Sequence, residues 1–211
     1  MEDIILIGSG GHAKSIVDAI ERQGKYQIKG FLDHADNQHV TYKHYKVIGE
    51  DKDALQYYTQ GIQNVCISIG YLGNSTLRDK LYDSLKAIGY QFPVIIDPSA
   101  VIANDVIIEE GSFIGKNAVI NSNSYIGKMN IINTGAIVEH DCVIKDFCHI
   151  SVHATLCGNV HVEDHSFIGA GAVVVQGCSI GKDVIVGANS TILCNVLNQE
   201  KALGIYKGLS R

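Results

Sequence analysis

The chain has 211 residues, 46% of them apolar, and a formal charge of −5 with no run of Lys or Arg. That size carries one sizeable domain or two small ones, and that charge repels phosphate backbones and anionic membranes, which argues against a nucleic-acid partner. Six cysteines scattered without a CxxC pair fit a reducing, cytoplasmic setting better than a zinc cluster or a disulfide framework, and neither the acidic start MEDIILIGSGG nor any later run reads as a membrane segment.

The first hundred residues alternate between two periods. Ile4 to Ile7 reads as a short buried strand, GSGGHA as a turn, and Ile16, Val17 and Ile20 then share one helical face. Gln27 to Leu32 reads as a second strand ending at Asp33, and Val65 to Ile69 as another. A helix with Leu77, Leu81, Leu85 and Ile88 follows and stops at Gly89. Strands alternating with helices predict a small parallel sheet. The only two prolines, Pro93 and Pro98, bracket a change of pattern, so a Rossmann-like domain over 1–97 and a second domain over 98–211 are expected.

The second domain is a repeat. Stepping by six from Ile102 through Ile108, Ile114 and Ile120 to Ile192, every position is Ile, Leu or Val. Two residues before each lies a second column, mostly Ala, Ser, Cys, Asn or Val. Alternation along a strand sends both columns into one narrow interior. A six-residue period would smear aliphatics around a helix of 3.6 residues per turn, whereas stacked short strands keep them in register. Three steps make one triangular coil, and about five coils are implied. Gly115, Gly127, Gly169, Gly181 and Gly187 each follow an aliphatic residue and are expected to turn the corners.

GSGGHA matches the GxGxxA dinucleotide fingerprint, with Gly8, Gly10 and Ala13 between a strand and a helix and acidic Asp33 beyond. Small residues let backbone amides approach a diphosphate, although the same turn also occurs without a ligand. Fewer than a hundred residues suit one sugar-bearing mononucleotide better than NAD. His149, His153, His161 and His165 fall on successive turns, but alternation points His149 and His161 outward and leaves the others nearer corners. One chain therefore does not converge them on a metal, and solvated histidines are expected. His140, two residues after inward Val138 and flanked by Glu139 and Asp141, is placed at an external corner where an imidazole beside a carboxylate accepts protons near neutral pH.

These segments together, IGSGGHAKSIVDAI, FLD at 31 to 33, SIG followed by Arg78, NTGAIVEHDCVI and HISVHATLCGNV, resemble the NeuD/PglD-type sugar acyltransferases over nearly the whole chain. The resemblance implies a left-handed β-helix and transfer of an acetyl group from acetyl-CoA, without a metal. The acceptor would be a UDP-linked 4-amino-4,6-dideoxy sugar, with sialic acid O-acetylation as the alternative. It makes His140 the general base, oriented by Asp141, where relatives often carry Glu. His149 would meet acetyl-CoA near its thioester, and the Gly158 amide would hold the oxyanion. His140 and Gly158 are eighteen residues apart, one coil, which stacks them independently of the resemblance. It further implies a homotrimer with CoA in the cleft between neighbours along Gly169, Ala170, Gly187 and Ala188. Asn133 is a candidate sugar contact, and Gly8, Ser9, Gly10, Gly11, His12, Asp33 and Gly70 would hold the nucleotide and aim the amine at His140. The tail GIYKGLSR departs from the G(V/I)PAK ending of many relatives. Two other readings of the prism remain open: a carbonic anhydrase with zinc between subunits, and a non-catalytic scaffold.

Overall fold

A computed structural model describes residues 1–73 and 76–208. The chain divides into two compact units, 1–70 with 76–98, and 99–208 with 71–73. The association of 71–73 with the second unit has no counterpart in the sequence pattern.

In the first unit, β1 (Glu2–Ile7) is followed by α1 (Gly11–Gln23), β2 (Tyr26–Leu32), β3 (Thr41–Tyr42), β4 (Tyr45–Gly49), α2 (Ala54–Thr59), β5 (Asn64–Ile67) and α3 (Leu77–Ile88). The strands lie in the order β3-β4-β2-β1-β5, parallel except for the β3-β4 hairpin. Ile4 to Ile7 are all buried, as an unbroken apolar run in a sheet covered on both faces requires. Helix α1 buries Ala13, Ile16, Val17, Ala19 and Ile20 and ends at left-handed Gly24, whose N–H closes on Ile20 O at 3.0 Å. Buried Asp97 accepts both bonds from Arg22 Nη1, at 2.7 and 2.9 Å, tying the end of this unit to α1. Strands β3 and β4 escape the sequence pattern because, across the two, only Val47 is buried. The chain leaves β1 for β2 on one side and later returns to β5 on the other. The carboxyl ends beside β1 therefore form the topological switch point at which open α/β sheets bind ligands.

The second unit is a parallel β-helix in which residue i pairs with residue i+18. Val119 pairs with Ile137, Ile137 with Thr155, and Thr155 with Val173. The inward aliphatics from Ile114 to Ile192 are fully buried, and each contributes about 1.5–3 kcal/mol. The polar members of the small column are satisfied in place. Ser112, Ser124 and Ser166 donate to carbonyls fifteen residues ahead at 2.6–2.9 Å, and Asn130 Nδ2 does the same to Lys145 O at 2.8 Å. Burial pushes the Cys142 thiol up to about 11 and Cys66 up to about 12, so these are core groups and not nucleophiles.

The corners depart from the expectation. From Gly111 to Asn189 every sixth residue has φ between 53° and 74°, and these are the third residues after each aliphatic, mostly Asn, Asp, His or Gly. The glycines directly after the aliphatics do not have positive φ. A Cβ on Gly169 would lie 2.6 Å from the Ala188 nitrogen, and one on Gly115 would lie 2.9 Å from the Thr134 nitrogen. Close approach of stacked coils demands these glycines, and the left-handed turn is made two residues later. The repeat also runs past Ile192 in a shortened coil, where Ile185 pairs with Lys201 and Thr191 with Ile205. The last three residues of the divergent tail, 209–211, lie outside the described residues.

Candidate active site

Val138 points into the prism, Glu139 N–H bonds Leu156 O at 2.9 Å, and left-handed Asp141 (φ 61°) turns the chain back inward at Cys142. His140 is thereby thrust outward at the corner. Its side chain is 53% exposed and that of Asp141 46%, open enough for a substrate to reach. His140 Nδ1 lies 2.7 Å from Asp141 Oδ2, and an ionised carboxylate accepts there, so Nδ1 carries the hydrogen and Nε2 presents its lone pair outward. Nε2 has no partner among the described residues. Asn123 Nδ2 donates to Asp141 Oδ1 at 2.6 Å. This bond, and then that to His140, hold the Asp141 carboxyl below the ordinary carboxylate range.

One coil further on, Gly158 lies against the imidazole: a Cβ there would meet Cε1 and Nε2 at 2.7 Å. Asn159 N–H bonds His140 O at 2.8 Å and Gly158 O accepts from Gly177 N–H at 3.0 Å, whereas the Gly158 N–H has no acceptor among the described residues. An imidazole with an unpartnered Nε2 and an amide without an acceptor thus share one corner, an arrangement that suits acyl transfer.

His149 differs from the solvated residue expected. It is 5% exposed, because residues 71–73 cover its face of the prism. Nδ1 donates to Tyr71 O at 2.5 Å and Nε2 receives Asn133 Nδ2 at 3.0 Å, while Asn133 Oδ1 accepts from Thr134 N–H. Tyr71 is held in turn by its hydroxyl on His165 O at 2.6 Å. A Cβ on Gly73 would strike Ile185 at 2.8 Å, so this strap lies flat. Among the described residues no three His, Cys, Asp or Glu side chains gather as metal ligands.

Gly169, Ala170, Gly187 and Ala188 stack at a different corner. Ala170 and Ala188 are exposed, and their amides have no acceptor among the described residues. That corner and the His140 corner bound opposite edges of the face bearing Ile137, Thr155 and Val173, a separation of six residues, about 15–20 Å.

In the first unit, Gly8 (φ 94°) leaves no room for a Cβ, which would lie 2.6 Å from Ile69 Cγ1. Gly10 caps α1 with extended backbone, and no atom lies within 4 Å of a Cβ placed at Gly10 or Gly11, so the start of the helix is open. Asp33 binds this loop: Oδ2 accepts from Ser9 N and Oγ at 2.7 and 2.5 Å, and Oδ1 accepts from His34 N and Asn37 Nδ2. Burial pushes the Asp33 carboxyl up, but these four bonds outweigh it and hold it below its usual value. His12 is the second residue of α1, and Gly70 is exposed, a Cβ placed on it lying 3.7 Å from His12 Cβ. Sequence reasoning missed Asn123 and the strap. The eighteen-residue step from Asn123 to Asp141 is the one signal that pointed to the former.

Comparison with known proteins agrees with this architecture. Residues 3–85 match the PglD N-terminal domain, and residues 159–194 match the bacterial transferase hexapeptide of six repeats. Among solved structures, PerB from Caulobacter crescentus, in complex with CoA and GDP-perosamine, is 33% identical with a TM-score of 0.90, over 97% of this chain and 95% of that one. The acetyltransferase domain of PglB from Neisseria gonorrhoeae is 30% identical, TM-score 0.89, over 97% of both chains. The chain belongs to the PglD-type family of hexapeptide-repeat sugar acyltransferases. WeeI from Acinetobacter baumannii AYE is similar at 29% identity, TM-score 0.84, over 97% of both chains. The prism is accordingly the left-handed β-helix of this PglD-type family. Comparison with curated proteins gives no match, and among the described residues no helix is long and apolar enough to cross a membrane.

Proposed function

We propose that this PglD-type chain transfers an acetyl group from acetyl-CoA to the primary amine of a nucleotide-linked 4-amino sugar. The observation that carries the reading is the shared corner of His140 and Gly158: Nε2 unpartnered, with an open backbone amide one coil away. The amine nitrogen attacks the thioester carbonyl carbon, and the Gly158 N–H stabilises the oxygen as it gains charge. His140 Nε2 takes the proton that nitrogen must shed. As the carbon–sulfur bond breaks, the imidazolium returns that proton to the leaving thiolate. Asp141 keeps the hydrogen on Nδ1 throughout. Transfer in this reading is direct, with no covalent enzyme intermediate; burial raises the thiols of Cys142, Cys148 and Cys178, as suits core groups.

The nucleotide of the acceptor is held at the carboxyl edge of the first unit's sheet, where the uncrowded helix start at Gly10 and Gly11 would receive a diphosphate. Ser9 and Asp33 shape that loop, and Gly70 leaves its rim low. PerB, in complex with CoA and GDP-perosamine, and the PglB domain, in complex with acetyl coenzyme A, support this pairing of substrates. The exposed strip of Ala170 and Ala188 suits the amide-bearing pantetheine arm of CoA; His149, buried with both ring nitrogens engaged, would act on acetyl-CoA only at second hand, through the Asn133 side chain that its Nε2 receives. We take the reaction to be cytoplasmic, a reducing setting that suits six cysteines scattered without a CxxC pair.

One subunit holds the CoA strip and His140 on opposite edges of a face, so one chain does not close the site. That face presents Val101, Val119, Ile137, Thr155, Val173, Thr191 and Ile205 outward, an apolar surface a second copy would cover. Packing three prisms through it brings one copy's strip against the next copy's base. Ile137→Glu is expected to reduce the assembly in sedimentation from about three times 22.8 kDa to the single-chain mass and to abolish activity with His140 intact. Full activity in a single-chain species would overturn the shared site.

The substrate reading is tested by thiol release from acetyl-CoA with UDP- and GDP-linked 4-amino-4,6-dideoxy sugars and free sialic acid as acceptors. A nucleotide-linked amino sugar is expected to give turnover on the order of 1–10³ s⁻¹. Acetylation of sialic acid with no turnover of any amino sugar would overturn it.

A further inference from the structure

His140 and Asp141 are half-exposed neighbours, and a contact between exposed charged or polar groups is worth little and competes with water. Their 2.7 Å bond therefore does not explain why the carboxylate should hold a single orientation. The second carboxylate oxygen does, because Asn123 Nδ2 reaches Oδ1 at 2.6 Å from the coil below. Asn123 is itself fixed: its backbone is left-handed (φ 58°), and its N–H bonds Asp105 Oδ2 at 3.1 Å. Asp105, Asn123 and Asp141 thus climb one corner at eighteen-residue steps and end on the imidazole.

We infer that Asn123 is a positioning residue for acyl transfer, clamping Asp141 so that His140 keeps its hydrogen on Nδ1 and its lone pair on Nε2. The inference rests on the acyltransferase reading of His140. A neutral amide is the right group for the task. It donates to the carboxylate without competing for the imidazole hydrogen, and it favours the ionised form of Asp141. An aspartate of the same shape would instead set a second carboxylate against the first. Besides Asn123, the charged or titratable groups near the pair among the described residues include Glu139, whose Oε2 lies 3.4 Å from His140 N, the buried Cys142 thiol, and Asp105 at the foot of the column.

The test uses Asn123→Gly, which keeps the left-handed backbone and removes the amide, together with Asn123→Asp, His140→Ala and the double variant. Rates are measured across pH with saturating acetyl-CoA and a nucleotide-linked amino sugar. Asn123→Gly is expected to lose about tenfold in kcat, with KM changed less than about twofold, a share of the 10²–10⁴ that a general base supplies. Asn123→Asp is expected to lose more and to move the acidic limb of kcat/KM to higher pH, because an added negative charge favours protonated imidazole. With His140 removed, Asn123→Gly is expected to cost nothing further. If both Asn123 variants keep the native kcat and acidic limb while His140→Ala is impaired, the positioning role is overturned and the acyltransferase reading stands. Full activity of His140→Ala overturns both.

Discussion

Replacing His140 with alanine is expected to lower kcat with an amino-sugar acceptor by about 10²-fold and to leave both KM values within about twofold. The magnitude follows from when the proton must move. An amine arriving neutral attacks first and becomes acidic only once bonded to the carbonyl carbon, so the base acts late and its loss is felt at the low end of the range for general-base catalysis. A hydroxyl must shed its proton as it attacks, and an O-acetyl acceptor would raise the loss toward 10⁴-fold. The remaining rate reflects binding and the Gly158 amide, neither of which depends on the imidazole. The acidic limb of the pH–rate profile should flatten, since the group whose protonation removes the acceptor site is gone. Half-exposed His140 packs into no core, so the melting temperature should hold, as for surface changes within about 0.5 kcal/mol. Native kcat in a folded variant would refute the base assignment; a collapsed melting temperature would mean that the imidazole supports the coil instead.

The residues that were legible in advance are those whose shape the interior dictates. A narrow tube accepts one branched and one small side chain per step, so the columns of Ile114 and Ala118 announce themselves at a fixed period, and the eighteen-residue coil then stacks Gly158 against His140. Residues with two structural duties were misread. Gly169 looks like a conformational glycine but answers to a backbone 2.6 Å away, while the left-handed turn falls to Gly171 and its neighbours in that column. The strap was invisible because Tyr71 meets His149 with a carbonyl oxygen, and main-chain contacts leave no mark on side-chain periodicity. Asn123 was hidden for a different cause: a solvent-facing Asn in a left-handed corner is common in this repeat, as Asn117, Asn159 and Asn189 show, and only the carboxylate above it gives this one a task.

Gly158→Ala is expected to be as damaging to catalysis as loss of the imidazole, while leaving the fold intact. Gly158 does not have a positive φ, so alanine fits its backbone. The added Cβ would stand 2.7 Å from His140 Cε1 and Nε2, and the atoms it strikes belong to the movable end of an exposed side chain, not to a neighbouring coil. The ring yields and the prism does not, so the melting temperature should change by no more than a surface substitution allows, about 0.5 kcal/mol. The displaced ring carries Nε2 away from the reacting nitrogen, and the methyl group crowds the open amide. A misplacement of about 1 Å costs about 10²-fold, and loss of an oxyanion donor costs about 10²–10³-fold on its own. The two losses arise at one corner and will not simply add, so a fall in kcat of at least about 10²-fold is the expected result. The double variant with His140→Ala gives the decisive comparison. If the methyl group acts only by moving the ring, it costs nothing once the ring is gone. If it also screens the amide, a further loss remains and measures the oxyanion contact by itself.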